Sequence, residues 1–402
     1  MRSYVAAAAV TALLSISCAQ AEISDGVVRI GVLNDQSSLY ADAAGPGSVL
    51  AAQMALEDFG PIGPGIKVEV ISADHQNKPD VGTAIVRRWL DVDGVDAILD
   101  VPNSGVALAV NEIVRGSRHA FLASSTASSD LTGKACSPNT VQWTFDTWSI
   151  ANATVKSVTE RGGPSWFFLT ADYAFGYALE RDGTAAIAAN GAKVVGSVRH
   201  PIGTSDFSSF LLQAQSSKAK VIGLANAGGD TSVAIKQASE FGIPQSGQTM
   251  AALLVFISDI HAIGLQTAQG LLFTEAFYWD LNDKTREWSN RFAARNNGKM
   301  PTMNHAGVYS SVLAYLSAVK ATNSDDGPLA IAKMKESPIQ DQLFGRVVVR
   351  ADGRAIHDMY LFRVKKPEES KGPWDYYTLI NTIPADQAFR PLDQGGCVLV
   401  RK

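Results

Sequence analysis

VVRIGVLNDQSSLYADAAGPGSVLAAQMALEDFG, residues 27–60, carries the pattern that decides the fold. Val27 to Leu33 is a near-continuous apolar, β-branched run interrupted only by Arg29, as expected of a buried strand. A polar turn, Asn34 to Ser38, follows, and a helix is predicted from about Ser48 to Phe59, entered through Gly45-Pro46-Gly47.

The same unit recurs downstream. Val68 to Ala73 leads to a helix at about Val81 to Leu90, Ala97 to Val101 leads through Pro102-Asn103 to a helix at about Gly105 to Val114, and Ala120 to Ala123 precedes the polar loop Ser124 to Ser129. Alternation of buried strands with amphipathic helices is the mark of an α/β protein with parallel sheets, and such sheets place ligands at the carboxyl ends of their strands.

Gln142 to Thr147 reads as a crossover strand, after which a helix near Ile150 to Arg161 and strands at Trp166 to Thr170, Val194 to Val198, Val221 to Ala225 and Met250 to Val255 form a second series. Within it Asp206 is a plausible N-cap, and Phe207, Phe210, Leu211 and Ala214 share one helical face. Gly270 to Trp279 reads as a second crossover strand, the helix from about Thr302 to Ala321 returns the chain to the first series, and Leu343 to Val349, Met359 to Val364 and Trp374 to Leu379 end the pattern as strands. A chain of 402 residues exceeds what one core usually serves, so two lobes are expected.

Residues 1–21 read as a cleaved export signal: Arg2, a short apolar run from Val5 to Ile16, and the small-x-small site Ala19-Gln20-Ala21. An alternative, lipidation of Cys18, is opposed by Ser15, which stands where a bulky aliphatic residue is wanted. No later apolar run is long enough to cross a bilayer, so the chain is not expected to be membrane-embedded.

Loss of the signal leaves 34 basic and 39 acidic residues without long runs of either sign, which gives nucleic acid no electrostatic footprint. Cys136 and Cys397 are the two cysteines left after processing; in an oxidising compartment they read as one disulfide, and otherwise as two buried thiols.

The six histidines are scattered without metal-ligand spacing, and neither a Gly-x-Ser-x-Gly elbow nor a phosphate loop occurs. Acid pairs such as Asp91 with Asp93, or Asp96 with Asp100, flank a strand and read as turn and helix ends. Neither an enzyme, a metal site nor a cofactor is expected.

LYADAAGPGSVLAAQMALEDFG at 39–60, LASSTASSDLTG at 122–133, LTADYAFG at 169–176, TSDFSSFLLQAQ at 204–215 and VIGLANAGGDTSVAIKQA at 221–238 resemble the solute-binding proteins of branched-chain amino acid uptake, with the type I periplasmic-binding fold. The resemblance implies two Rossmann-like lobes joined by a three-crossing hinge. Residues 22–145 and 273–335 would form the first lobe, 146–272 and 336–385 the second, and 386–402 a tail tied to the first by the disulfide. It also implies a monomeric periplasmic protein that closes on a small carboxylate or amino acid and docks on the permease subunits of an ATP-driven importer. The alternatives are an aromatic acid as ligand, or a sensory ligand-binding role.

In that family a first-lobe serine, a hydroxyl residue and backbone N–H groups hold the ligand's carboxylate. Carried over, these positions fall on Ser104 and on Ser125, Thr126 and Ala127, with Asn103 and Ser124 on the same loops; Ala127 stands where the family has threonine. Tyr40 corresponds to a frequent aromatic wall, and Tyr173 and Phe175 occupy the equivalent loop of the second lobe. The family's second-lobe tyrosine and ammonium-binding acid align near Gly228 and Ala252, so substitutes are sought in Asn226, Asp230, Glu275 and Asp280. Without an acid in the pocket the ligand need not carry an amino group, and Phe277, Tyr278 and Trp279 are then extra aromatics for an aromatic acid.

Overall fold

Strand β1 (Val27–Asn34) buries Val28, Ile30, Val32 and Leu33 completely, so neighbours on both edges and layers on both faces are required. A computed structural model describes residues 23–400; the expected export signal and Cys18 lie outside the described residues.

The first series runs β1, α1 (Gly45–Phe59), β2 (Lys67–Asp74), α2 (Pro79–Asp91), β3 (Ala97–Asp100), α3 (Ser104–Val114), β4 (Ala120–Ala123) and β5 (Thr140–Gln142). Its sheet is parallel throughout, in the order β2-β1-β3-β4-β5. The chain then enters α4 (Thr147–Glu160), β6 (Ser165–Ala171), α5 (Ala174–Ala189), β7 (Lys193–His200), α6 (Ser208–Ser216), β8 (Val221–Ala225), α7 (Gly229–Glu240) and β9 (Thr249–Ala252), whose parallel sheet has the order β7-β6-β8-β9. Helices α8 (Ile257–Ile263) and α9 (Leu265–Ala268) follow, then β10 (Leu272–Glu275), α10 (Asp283–Arg295), α11 (Met303–Thr322) and α12 (Gly327–Lys335). Strands β11 (Ile339–Asp341), β12 (Gly345–Val349) and β13 (Ala355–Ile356) form an antiparallel ribbon, and β14 (Met359–Val364) with β15 (Tyr377–Ile383) completes an antiparallel sheet begun by β10.

Helices α11 and α12 return to the first sheet: α11 packs on α1 and β3, and α12 on β4. Helix α10 also joins that side, through Arg291 to Asp58 and Arg295 to Glu57. Strand β10, by contrast, packs beside β9 and pairs with β14, on the second side.

Both expected crossover strands are shorter than their apolar runs. The stretch Gln142 to Thr147 leaves the sheet after Gln142, and Asp146 caps α4 in a reciprocal bond with Ser149. Trp143 N still donates to Ala123 O at 3.1 Å, but the Trp143 and Phe145 carbonyls turn to the buried guanidinium of Arg354 at 2.9 and 2.8 Å, and His357 Nε2 lies 3.2 Å from Trp143 O. At the second crossover only Leu272–Glu275 is strand. In α6, Asp206 accepts the Ser208 N–H at 2.9 Å from one residue outside the cap, Phe207, Leu211 and Ala214 are buried, and Phe210 is half-buried.

Cys136 and Cys397 form a disulfide, and Arg390 reaches the Ser129 carbonyl at 3.0 Å, so the C-terminal segment lies on the first lobe.

Candidate ligand cleft

In each parallel sheet the strand order reverses once, between β1 and β3 and between β6 and β8. Loops leaving two such strands diverge to opposite faces, which opens a crevice at their carboxyl ends. The two crevices face each other around a nearly filled cleft whose water-accessible space is only about 10 Å³, room for about one water molecule, so a guest enters only when the lobes part. The wall is built from Tyr40 and Ala43 after β1, Pro102 after β3, Ser125 and Ala127 after β4, Phe145 on the crossing, Tyr173 and Phe175 after β6, Ala227 after β8, Leu254 and Phe256 after β9, and Asn304 in the first turn of α11.

The first-lobe wall is positioned by buried polar groups. Asp35 accepts the N–H groups of Ser38 (3.0 Å) and Tyr40 (2.8 Å) and the Asn77 amide (2.6 Å), folding the β1 loop so that the tyrosine turns inward. At the end of β3 the backbone takes positive φ at two non-glycine residues, 80° at Asp100 and 56° at Val101. Such torsions are costly, most of all for a β-branched residue, and persist only where the surroundings hold them. Here Ser125 donates its hydroxyl to the buried Asp100 carboxyl, Asn34 Nδ2 donates to the same group at 2.9 Å, and Thr126 Oγ1 donates to Val101 O at 2.5 Å. Burial pushes the Asp100 pKa up.

These bonds change the part played by the expected anion-holding residues. Asn103 caps α3 by accepting from Gly105 and Val106, Ser104 Oγ accepts from Ser128 N at 3.2 Å, and Thr126 is committed to the strained turn; none of the three lines the cavity. Ser124 is buried without a hydroxyl partner and lies off the wall. The Ala127 carbonyl accepts from Thr147 N at 2.7 Å, while its N–H has no backbone acceptor among the described residues.

On the second lobe, Gly176 permits a close return of α5 on Ala171, whose carbonyl would lie 2.0 Å from an added Cβ. Tyr173 and Phe175 therefore stand side by side, with ring centroids 5.8 Å apart. Phe145 and Phe256 meet edge to face at 6.5 Å. The hydroxyls of Tyr40 and Tyr173 hydrogen-bond across the cleft, and Gly228, at φ 59°, brings α7 against Leu39. The lobes are thus closed on each other.

The proposed second-lobe substitutes lie elsewhere. Asn226 is satisfied by His200 and Thr231, and Asp230 accepts the Gly203 N–H, with burial raising its pKa to about 6. Glu275 is buried behind the wall near Tyr377, its pKa raised by desolvation. Asp280 pairs with Arg286 on the surface. Phe277 packs on Trp288, while Tyr278 donates to Trp374 O and stacks on Tyr377, both off the cavity wall; Trp279 also donates to Trp374 O.

The cavity thus brings together Tyr40, Ser125, Ala127, Tyr173 and Phe175 from the expected set. It adds Ala43, Pro102, Phe145, Ala227, Leu254, Phe256 and Asn304, which sequence reasoning did not single out. The aromatics on strand-end loops carried a readable signal. Phe145 and Asn304 did not, because one lies on a crossing and the other opens a helix placed by tertiary packing. No carboxylate, ammonium or guanidinium stands on this wall, and among the described residues no group of acids, histidines or cysteines is arranged to hold a metal.

Residues 27–372 match the family model described as periplasmic binding protein, and the chain belongs to that family. It is similar, at 47% identity and TM-score 0.91, to a periplasmic binding protein of Burkholderia mallei, over 94% of this chain and all of that one. A branched chain amino acid ABC transporter periplasmic ligand-binding protein of Burkholderia xenovorans LB400 is 40% identical, with TM-score 0.82 over 92% of this chain and 99% of that one. An R. palustris ABC transporter solute-binding protein, solved with 4-hydroxybenzoate, shares the fold at 20% identity, with TM-score 0.80 over 89% and 97% of the two chains. The chain is a periplasmic binding protein of the ABC-transporter type, and such proteins carry solutes rather than transform them.

Proposed function

We propose that this protein, exported by cleavage after Ala21, binds a small carboxylate with an aromatic body between its lobes and delivers it to the permease of an ATP-driven importer. The observation that carries this reading is a wall of five aromatic rings with no charged side chain. Rings facing across a cleft favour a flat apolar guest. The N–H of Ala127 and the amino end of α7, which begins beside Ala227, offer an anion donors without a countercharge. The ammonium of a branched-chain amino acid would find no acid partner there, and an unpaired buried charge is costly. That the fold accommodates an aromatic acid is illustrated by the R. palustris protein.

A thermal-shift screen of leucine, isoleucine, valine, glycine betaine, benzoate and the hydroxybenzoates tests the proposal. An aromatic acid at one hundred times its Kd stabilises the protein by about 2.7 kcal/mol. Stabilisation by the aliphatic amino acids or by betaine, with none from the aromatic acids, overturns it.

A further inference from the structure

We infer that the C-terminal segment is a fourth, reducible crossing between the lobes, and that the Cys136–Cys397 disulfide fastening it restrains their opening. The inference does not depend on which ligand the cleft takes.

The main chain passes between the two sides three times: from β5 to α4, from β10 to α10, and from α12 to β14. After β15, on the second side, residues 384–397 make a further passage. A single helical turn, Ala385–Ala388, packs on α4, and Ala385 N donates to Asp358 Oδ1 at 2.9 Å. Phe389 is buried, with the Arg354 guanidinium 4.3 Å from its ring centre and the His357 ring edge-on at 5.4 Å. Arg354 is the group that holds the carbonyls of the first crossing, so the segment runs alongside the hinge.

Arg390 then arrives on the first lobe. Its carbonyl accepts from Arg350 Nη1 at 2.8 Å, and its guanidinium donates to Ser129 O at 3.0 Å. A Cβ added at Gly133 would lie 2.8 Å from Gly395 O, so the tail lies tight against the loop there, and two residues later the disulfide ties Cys397 to Cys136.

The loop that the segment grips is itself a contact between lobes. Ser129 Oγ donates to the buried Asp182 of α5 at 2.6 Å, and Arg181, beside it on the same helix, donates to Ser129 Oγ at 2.8 Å and to Asp130 Oδ1 at 3.0 Å. A fastened segment limits how far the lobes swing apart and holds this loop where α5 meets it. Freeing the segment enlarges the open ensemble and loosens the loop, and both effects disfavour the closed form. A dithiol reductant releases it: thiolate attack breaks the S–S bond through a mixed disulfide, leaving Cys136 and Cys397 as thiols and the reductant as a cyclic disulfide. Gly396 and Val398, on either side of Cys397, are exposed to such a reagent.

The test is small-angle scattering of the ligand-free mature chain in four forms. These are the oxidised parent, the parent reduced with dithiothreitol, the Cys136→Ser/Cys397→Ser double variant, and an oxidised protein cut at a protease site inserted after Gln394. The cut breaks the crossing and leaves the disulfide whole. Each of the last three forms should show a radius of gyration larger than the parent's by about 1 Å, against roughly 21 Å for a compact chain of this length, with unchanged far-ultraviolet dichroism. Reduction and cutting act on protein already folded, so a misfolded double variant leaves the inference testable. Parental dimensions in the reduced and cut forms overturn it, and the disulfide is then a staple that affects stability alone. Opening on reduction but not on cutting overturns the crossing as well, because the disulfide would then act within the first lobe.

Discussion

Closure of the two lobes leaves so little room at Gly228 that a single methyl group should separate them. A Cβ built there would lie 2.7 Å from Leu39 O and 3.2 Å from the Tyr40 ring, across the mouth of the cleft. Gly228 also holds φ 59° and ψ −133°, a region that other residues avoid. The Gly228→Ala substitution therefore acts twice. Backbone strain, about 1–3 kcal/mol, burdens the open and closed states alike and lowers stability. The clash with Leu39 exists in the closed state alone, and overpacking of this kind costs about 1–3 kcal/mol. That second cost falls on affinity, where each 1.4 kcal/mol is about tenfold. Gly264→Ala is the matched control, because Gly264 holds φ 86° with open space around its missing Cβ. Isothermal titration with the acid that gives the largest thermal shift should show a loss of about 10- to 100-fold for Gly228→Ala and near-parental affinity for Gly264→Ala, both being less stable. Small-angle scattering should show Gly228→Ala failing to contract fully when ligand is added. Parental affinity in Gly228→Ala, or an equal loss in the control, would refute the reasoning.

The remaining predictions concern stability. Replacing Cys136 and Cys397 by serine releases a link between residues 261 apart in sequence, which in the chain-entropy model is worth up to about 5 kcal/mol; urea unfolding should show a midpoint well below that of the oxidised parent. His305 is buried and neutral, its pKa lowered to about 4 by desolvation against an ordinary 6.5. The unfolded chain takes up that proton as pH falls through 6.5 and the folded chain does not, so stability is lost progressively between pH 6.5 and 4. His305→Gln should be less stable than the parent at pH 8, with the gap narrowing by about 2 kcal/mol at pH 5. A gap independent of pH would show that His305 does not titrate in this way. Asp96 and Asp259, raised to about 7 by burial, work in the opposite direction between pH 4 and 7, but both proteins carry them and their effect cancels in the difference.

The parallel-sheet core was legible because its strands are buried on both faces, and Val27 to Leu33 reads as β1 almost to the residue. The crossings were not. Trp143 and Phe145 look like strand residues, but their carbonyls are held by Arg354, more than two hundred positions later, and no local pattern announces that. The cleft divides in the same way. Tyr40, Tyr173 and Phe175 follow strand ends, where general rules for open sheets place ligands. Ser104 and Thr126 carry the right chemistry for an anion, yet their hydroxyl oxygens serve Ser128 and the strained turn at Asp100-Val101. Positive φ at an aspartate and a valine leaves no mark in a sequence. Asn304 reads as an ordinary residue in a helix's first turn until Thr302 and His305 are seen pinning that turn to the Tyr40 loop.

Helix α11 belongs to the first lobe in space but arrives some 160 residues after that lobe's last strand. Until it is made, the sheet layer containing Val28, Ile30 and Val32 lacks Val308, Val312 and Tyr315 from the core they share. A nascent fragment ending anywhere before Met303 is therefore an unfinished half, with greasy surface on view and nothing of its own to shield it. Long-range closure of this sort delays folding. Such lateness keeps the chain loose until its last third is made: the architecture postpones its own collapse.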